Sequence, residues 1–269
     1  MGQTSNASPL FVVQISDLHL FKDECQNLLG WNTWGSFNKI IQQLDSYQPH
    51  PDLILLTGDL SQDETEASYQ KIVERLIPLG IPTYWLPGNH DHVLTMQRVL
   101  DQPPVHADKS VYKGGWQFLL LNTNVPGQVY GALSADSLAW LERQLSSIPL
   151  HQPTLISMHH PPFWVGSPWL DQSGLNNTAD FFKIIDQYPQ VQLVLVGHVH
   201  QEFRSIRNDV TYLSTPSTCI QFMPKSPDFA LDTNGPGFRL LRLYPDGTFE
   251  TEVERVGFQQ KLNLNAQGY

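Results

Sequence analysis

Basic side chains and cysteines are both scarce in this chain of 269 residues. There are 16 Lys and Arg residues against 26 Asp and Glu, which gives a formal net charge of −10. Nucleic-acid polymers and anionic membrane surfaces attract proteins with a basic face, so we expect neither as a partner. The two cysteines, Cys25 and Cys219, are too few for a disulfide framework and favour a reducing compartment, the cytoplasm.

Long apolar runs are also missing. None of them approaches the ~20 residues that a membrane span needs, and no basic region precedes an apolar stretch at the N-terminus as in a secretory signal. With 41% hydrophobic and 16% charged residues, the chain is able to bury a large core. We expect a single domain over residues 1–269, flexible residues 1–9 and no obligate protein partner.

Short apolar runs alternate with helical patterns over the first two-thirds of the chain. Six runs are too short for helices and rich in branched residues; they begin at Phe11, Leu53, Pro82, Phe118, Thr154 and Leu193. Between them, apolar residues repeat at helical spacing, as in Phe37, Ile40, Ile41 and Leu44. This alternation predicts an α/β fold whose sheet is buried on both faces.

The pattern changes after Gly197. Short strands joined by turns at Asn208-Asp209 and at Pro245-Asp246-Gly247 predict antiparallel hairpins. Residues 216–236 are rich in Pro and Ser and are predicted to form a long ordered loop. Loops of this length are usually functional or disordered, so we expect this one to cover a site.

Five of the predicted strands run into His, Asp or Asn. In chain order, these strands lead to Asp17 and His19, to Asp59, to Asn89 and His90, to His159, and to His198 and His200. Any one of these motifs alone is compatible with a turn, a helix cap or a hydrogen-bonded histidine. Ligands bind at the carboxyl ends of the strands in open α/β sheets, so five such endings together indicate a site.

Carboxylate, imidazole and amide groups in one place are typical of a metal site. Asp17 and His19 are two residues apart, which in an extended chain puts both side chains on the same side. His198 and His200 have the same spacing and could each face a different ion, while the carboxylate of Asp59 suits a bridge between two ions. A mixed set of nitrogen and oxygen ligands favours Mn, Fe or Zn over Mg or Ca.

The motifs, in this order, resemble those of the calcineurin-like metallophosphoesterases. They are Asp-x-His from Asp17, Gly-Asp from Gly58, Gly-Asn-His-Asp from Gly88, His159, and Gly-His-x-His from Gly197. A closer resemblance, to the bacterial class III 3′,5′-cyclic-AMP phosphodiesterases, rests on LLGWNTW, WLPGNHD, PWLDQ, TPSTCIQF and LDTNGPG and covers nearly the whole chain. It implies a four-layered α/β/β/α sandwich with a dimetal site at the C-terminal ends of the strands.

The resemblance also implies a role for each matching residue. One ion would be held by Asp17, His19, Asp59 and His200, and the second by Asp59, Asn89, His159 and His198. The two ions would be Fe and/or Mn, with Zn as an alternative, and would activate a bridging hydroxide that hydrolyses 3′,5′-cyclic AMP to 5′-AMP. His90 would be the catalytic side chain that binds no metal, and the substrate phosphate would lie among His19, Asp59, Asn89, His90, His159 and His200.

Three other functions stay open at this stage. The chain could act on 2′,3′-cyclic nucleotides or other small phosphodiesters, on phosphomonoesters as a protein phosphatase, or as a metal-free scaffold that binds proteins. Protein phosphatases of the family carry an Arg directly after Gly-Asp, whereas Gly58-Asp59 is followed here by Leu-Ser-Gln-Asp-Glu, which favours a diester. A scaffold predicts missing ligands, and all of them are present.

Recognition of the base is the least determined feature. Stacking candidates are the aromatic residues Trp31, Trp34, Phe163, Trp164, Trp169 and Phe222, each of which could instead pack in the core or within a loop. Asp91 is expected to orient a turn or a neighbouring group. His92, His106 and His160 are given structural or ligand-supporting roles.

Overall fold

The computed structural model describes residues 8–258 and 260–268, and twelve strands of these residues form two six-stranded sheets. The first sheet contains β1 (Leu10–Ile15), β4 (Leu53–Thr57), β5 (Thr83–Leu86), β6 (Val105–His106), β15 (Gly237–Leu243) and β16 (Phe249–Arg255). The second contains β7 (Ser110–Lys113), β8 (Trp116–Leu120), β9 (Thr154–Ser157), β10 (Val191–Val196), β11 (Phe203–Arg207) and β12 (Val210–Ser214). All six apolar runs predicted as strands are strands.

Two short hairpins, six α-helices and a 3-10 helix (Ile77–Leu79) complete the part of the chain that the structure describes. The hairpins pair β2 (Asn27–Leu28) with β3 (Trp31–Asn32) and β13 (Gln221–Phe222) with β14 (Leu231–Asp232). The helices are α1 (Thr33–Asp45), α2 (Glu66–Leu76), α3 (Val93–Val99), α4 (Ala135–Ser147), α5 (Pro168–Asp171) and α6 (Thr178–Ile185). Side-chain caps start the longer ones, because Asn32, Thr65 and Ser134 accept hydrogen bonds from the first free backbone N–H groups of α1, α2 and α4.

The layers follow from three apolar clusters. One cluster joins the two sheets face to face and includes Val12, Leu55, Phe118 and Leu195. A second joins the outer face of the first sheet to α1, α2 and α3, and a third joins the outer face of the second sheet to α4 and α6. The predicted four-layered α/β/β/α sandwich is confirmed, and it explains the apolar strands, since each sheet is covered by helices on one side and by the other sheet on the opposite side.

Parallel pairing in both sheets brings the strand ends to one edge. In the first sheet β1, β4, β5 and β6 are parallel neighbours, and in the second β8, β9, β10 and β12 are. The predicted antiparallel hairpins form between β11 and β12 and between β15 and β16. In addition, β12 lies parallel to β10, and β15 lies antiparallel to β1, so both hairpins extend the central sheets.

The N-terminal residues 1–9 were predicted to be flexible, and residues 1–7 of them lie outside the described residues. The segment 216–236, predicted to be a long ordered loop, contains the β13–β14 hairpin. No helix of the described part is both long and apolar enough to cross a membrane.

Candidate metal centre and cavity

Seven side chains at the ends of β1, β4, β5, β9 and β10 meet between the two sheets, and we call them the polar cluster: Asp17, His19, Asp59, Asn89, His159, His198 and His200. All of them except Asn89 are buried. Five have a positive φ, between 48° and 69°, and these are Asp17, His19, Asp59, His198 and His200. Residues with a Cβ avoid this region of backbone space, so their repeated occurrence here is typical of a functional site.

Glycines in the same motifs allow the chains to approach closely. A Cβ on Gly88 would lie 2.1 Å from the Asp59 carboxylate, and one on Gly197 would lie 2.2 Å from the Ser16 hydroxyl. Both distances are far below van der Waals contact, so these positions accept only glycine without movement of the backbone. The glycines of Gly-Asn-His-Asp and Gly-His-x-His therefore serve the packing of the two sheet edges.

The polar cluster has two overlapping halves. In the first, Nε2 of His200 lies 3.4 Å from Asp17 Oδ1 and 3.3 Å from Nε2 of His19. In the second, Asn89 Oδ1 lies 3.2 Å from Nε2 of His159 and 3.0 Å from Nδ1 of His198. Asp59 connects them, because its Oδ2 is 3.2 Å from Nε2 of His159 and 3.8 Å from Nε2 of His19.

Hydrogen bonds outside the polar cluster fix which ring nitrogen faces inward. Three imidazoles donate from Nδ1 to an oxygen: His19 to Gln62 Oε1 at 2.6 Å, His159 to the Thr57 carbonyl at 2.8 Å, and His200 to the Ile220 carbonyl at 2.9 Å. Their Nε2 atoms converge. His198 is reversed, since its Nε2 contacts the Ser173 hydroxyl at 2.8 Å and its Nδ1 faces Asn89. Metal-binding histidines are oriented by partners of this kind.

Burial and neighbouring charges set the protonation of the polar cluster. Burial lowers the pKa of His19 to about 3 and that of His198 well below its usual value, which leaves both rings neutral. Burial opposes ionisation of Asp17 and Asp59, but the surrounding imidazoles outweigh it and hold both pKa values below the usual range. Although burial lowers the pKa of His159, Asp59 and Asp17 raise it to about 9.

The donor set of the polar cluster fits metal ions. It offers two carboxylates, one amide oxygen and four imidazole nitrogens, and its donor atoms include the triads Asp17–His19–His200 and Asp17–Asp59–His159, within 4.8 Å of one another. Neutral imidazoles and ionised carboxylates are the forms that bind metals. The positions of the two halves, with Asp59 between them, could hold two ions that share one carboxylate.

His90 lies next to the polar cluster on the turn after β5. Its backbone N–H donates to Asp59 Oδ1 at 2.9 Å, and its ring is packed edge-on against the ring of His19, with centroids 5.0 Å apart. Unlike most of the polar cluster it is partly exposed, and it borders a cavity. Its imidazole is therefore accessible to a bound molecule.

Two side chains hold the turn that carries Asn89 and His90. The buried carboxylate of Asp91 accepts the Gly88 N–H at 2.9 Å and also binds N–H groups of the loop after β4 and the Tyr69 hydroxyl. Burial and the nearby charge of Asp59 raise the pKa of Asp91 to about 7. From the second sheet, Asn124 Nδ2 donates to the Gly88 carbonyl at 2.6 Å. Asn124 was not singled out from the sequence.

Three further histidines stand outside the predicted ligand set, although the ring of His160 packs against those of His159 and His198, with centroids 4.9 Å apart in both pairs. His160 is buried between the Thr123 hydroxyl, at 2.7 Å from its Nδ1, and the Val129 carbonyl, at 3.1 Å from its Nε2. Burial lowers the pKa of His160 to about 3, so the ring is neutral. His92 contacts Thr95 at the start of α3, and His106 packs against Tyr84.

A cavity of about 420 Å³ borders the polar cluster through Asp59, Asn89, His90 and His198. We call its remaining lining residues the cavity wall: Glu64, Gly127, Gln128, Val129, Trp169, Leu170, Ser173, Phe222, Phe229, Gln267 and Gly268. They come from loops of both sheets, from α5, from the β13–β14 hairpin and from the C-terminal segment. The volume is in the range of sites for small molecules.

The cavity wall contains an aromatic group. The ring of Trp169 lies 5.0 Å from that of Phe222 and 5.2 Å from that of Phe229, both edge-on. Phe222 also stacks on His200, with centroids 4.1 Å apart and planes inclined by 9°. Phe229 was missed at the level of sequence, although it lies within the loop that was predicted to cover a site.

The other four stacking candidates lie elsewhere. Trp31 is buried against Phe258, and Trp34 lies in the first turn of α1, with the side chains of Lys71 and Arg75 of α2 over its ring. Two more occupy the segment after β9. Phe163 stacks on Phe203, whereas Trp164 is 81% exposed and borders a different depression. Of the six candidates, the structure brings Trp169 and Phe222 to the cavity.

Comparison with known proteins places the fold and the motifs in one family. A sequence model of the calcineurin-like phosphoesterases matches residues 12–202. A 3′,5′-cyclic-nucleotide phosphodiesterase of Nostoc sp. is 49% identical over 93% of this chain and 94% of its own, and the 3′,5′-cyclic adenosine monophosphate phosphodiesterase CpdA of Escherichia coli is 42% identical over 91% and 89%. Among solved structures, a dimetal phosphatase from Danio rerio shares the fold, with a TM-score of 0.65 at 13% identity over 92% of this chain and 99% of its own.

Proposed function

The chain belongs to the calcineurin-like phosphoesterase family, and we propose that it hydrolyses 3′,5′-cyclic AMP to 5′-AMP with two metal ions bound in the polar cluster. The observation that carries the proposal is the complete polar cluster beside a cavity of nucleotide size. The relatives from Nostoc sp. and Escherichia coli, named for cyclic-nucleotide and cyclic-AMP hydrolysis over nearly their full length, support the substrate.

The proposed ligands divide between the two halves of the polar cluster. Asp17, His19, Asp59 and His200 would hold one ion, and Asp59, Asn89, His159 and His198 the other. The nitrogen and oxygen donors support Fe and/or Mn, with Zn as a further candidate. When bound, two such ions polarise the phosphate and activate a water molecule as nucleophile. A cytoplasmic location stays a prediction from the sequence.

Charge supports a monoanionic substrate. Asp17 and Asp59 contribute two negative charges, and the other five proposed ligands would be neutral once His159 has released its proton to a bound ion, so two divalent ions would leave the centre positive. A cyclic phosphate carries one negative charge and would be attracted to this centre in spite of the net charge of −10. Its phosphate would lie among His19, Asp59, Asn89, His90, His159 and His200.

His90 is the proposed catalytic side chain. Water adds to phosphorus, the bond from phosphorus to the 3′-oxygen breaks, and the leaving oxygen needs a proton. The partly exposed imidazole of His90 lies beside the polar cluster and the cavity, where it would donate this proton. Its backbone N–H donates a hydrogen bond to Asp59, which holds the residue at this position.

A substrate screen tests the proposal against its alternatives. The purified protein, loaded with Mn, would be assayed with 3′,5′-cyclic AMP and cyclic GMP, 2′,3′-cyclic nucleotides, linear diesters and phosphomonoesters. We expect 3′,5′-cyclic AMP to have the highest kcat/KM of these and 5′-AMP to be the product. A higher kcat/KM for 2′,3′-cyclic nucleotides would make these the substrate instead of 3′,5′-cyclic AMP. A protein that binds no metal even after incubation with Mn, and that hydrolyses none of the compounds, would favour the scaffold.

A further inference from the structure

We propose that Glu64 is a specificity-determining residue, whose carboxylate disfavours dianionic phosphomonoesters in the cavity and so promotes release of the product. The inference rests on the proposed function, because it concerns the same cavity. It adds a residue that neither the motifs nor the resemblance assigned.

The charge of the cavity lining is the first observation. Glu64 lines the same cavity as Asp59, Asn89 and His90. Among the described residues that line it, none is Lys or Arg. The lining therefore offers a phosphate no permanently positive side chain, and the one formal charge that the cavity wall adds is negative.

Hydrogen bonds fix the backbone of the loop that carries Glu64 at the cavity. The Glu64 N–H donates to the Ser61 hydroxyl at 2.8 Å, and the neighbouring Asp63 carboxylate accepts the Lys22 N–H at 2.7 Å and the Thr65 hydroxyl at 2.8 Å. Glu64 has a φ of 57°, in the left-handed region, which is unfavourable for a residue with a Cβ. A glutamate at a position that glycine would occupy more easily points to a use for the side chain.

The two acids of this loop have different surroundings. The Asp63 carboxylate accepts hydrogen bonds from Thr65 within the loop and from the backbone N–H of Lys22. Partial burial raises the pKa of Asp63, but these hydrogen bonds outweigh it and hold the pKa below its usual value. None of the hydrogen bonds or ion pairs among residues 8–258 and 260–268 involves the Glu64 carboxylate. Its charge is thus available to act on a molecule in the cavity.

The proposed reaction changes the charge of the bound molecule. A cyclic diester carries one negative charge, and a 5′-monophosphate carries about two at pH 8, because its second pKa is near 6. Coulomb energy is proportional to the charge of the ligand, so a nearby carboxylate destabilises the bound product about twice as much as the bound substrate. The same difference disfavours phosphomonoesters as substrates.

Glu64→Gln keeps the shape of the side chain and removes its charge. The matched control is Glu66→Gln, because Glu66 lies in the first turn of α2, pairs with Arg98 and is not part of the cavity lining. The probes are a nitrophenyl phosphodiester, nitrophenyl phosphate and inhibition by 5′-AMP, all measured at pH 8 and low salt on preparations of equal metal content.

We expect Glu64→Gln to raise kcat/KM about twofold to threefold for the diester and about fourfold to tenfold for the monoester. The inhibition constant of 5′-AMP should fall about fourfold to tenfold, and these changes should shrink in high salt. Glu66→Gln should change none of the three. Equal changes for monoester and diester, or a fall in diester hydrolysis, would overturn the inference while leaving the proposed function in place. Failure of the wild-type protein to hydrolyse any diester would overturn both.

Discussion

The polar cluster and the cavity wall lie side by side but are built differently. Six of the seven polar cluster residues are buried, they follow strands of the two sheets, and their rings are held by backbone carbonyls and neighbouring side chains. The cavity wall combines α5, the β13–β14 hairpin, the C-terminal segment and loop residues such as Val129, which is 61% exposed. The polar cluster thus contains the groups that would act on phosphate, and the cavity wall contains those that would select the rest of the substrate.

Because of this difference, we expect variants of the two regions to differ in which substrates they affect. Changes in the polar cluster should affect every substrate, because every substrate carries the phosphate. Changes in the cavity wall should affect substrates according to their shape or charge.

Asp59→Ala should have the largest effect. Asp59 lies between the two halves of the polar cluster, so its loss should lower the occupancy of both proposed ions and reduce activity on all diesters by ~10³-fold or more. The measurement is metal per chain by mass spectrometry together with kcat/KM for cyclic AMP. Retention of two ions per chain, in a variant with a native circular dichroism spectrum, would remove Asp59 from the bridging role.

His90→Ala should affect poor leaving groups most. A general acid is typically worth about 10²–10⁴-fold, and the 3′-oxygen of a nucleotide needs the proton, whereas nitrophenolate leaves without it. We expect a loss of that order on cyclic AMP, a much smaller loss on a nitrophenyl diester, and unchanged metal content. Parallel losses on the two substrates would assign His90 to charge stabilisation alone.

Asn124→Ala tests whether the second sheet positions the turn of the first. Without the 2.6 Å hydrogen bond to the Gly88 carbonyl, Asn89 and His90 should be less well oriented, and we expect kcat to fall about tenfold with little change in KM. The measurement is kcat of the variant on cyclic AMP and on the nitrophenyl diester. A larger loss on cyclic AMP would indicate that His90 is displaced, and no loss on either would show that Asp91 suffices to hold the turn.

Phe222→Ala should have the most selective effect. Stacking of a base on an aromatic ring is worth about 1–3 kcal/mol, so KM for cyclic AMP should rise about tenfold, with a smaller rise for a nitrophenyl diester. Because Phe222 also stacks on His200, Trp169→Ala is measured beside it and metal content is checked in both. Trp164→Ala is the control, as Trp164 is exposed and outside the cavity lining. Equal increases for both substrates would exclude a contact with the base.

The sequence predicted the polar cluster better than the cavity wall, for a physical reason. Strands are short apolar runs and parallel pairing brings their ends together, so the positions of Asp17, Asp59 and His159 follow from local patterns. Nothing local distinguishes Trp164 from Trp169, although one is exposed and the other borders the cavity. Their difference arises from how the loop after β9 packs against Phe222 and Phe229.

Residues that support the polar cluster could not be found from sequence either. Gln62, Ser173 and Asn124 lie in loops where polar residues are ordinary, and they acquire their roles through contacts over 43, 25 and 36 residues of chain. The edge strands β6 and β7 were also missed, because β6 has two residues and β7 shows no buried face. Such elements are specified by their neighbours more than by their own composition.

The central claim is that the polar cluster holds two metal ions that share Asp59. Anomalous scattering from crystals grown with Mn tests it most directly, since the peaks locate the ions without any assay of activity. The account predicts two peaks, both within bonding distance of the Asp59 carboxylate, one beside His19 and His200 and the other beside Asn89 and His159. A single peak, or peaks away from Asp59, would contradict it.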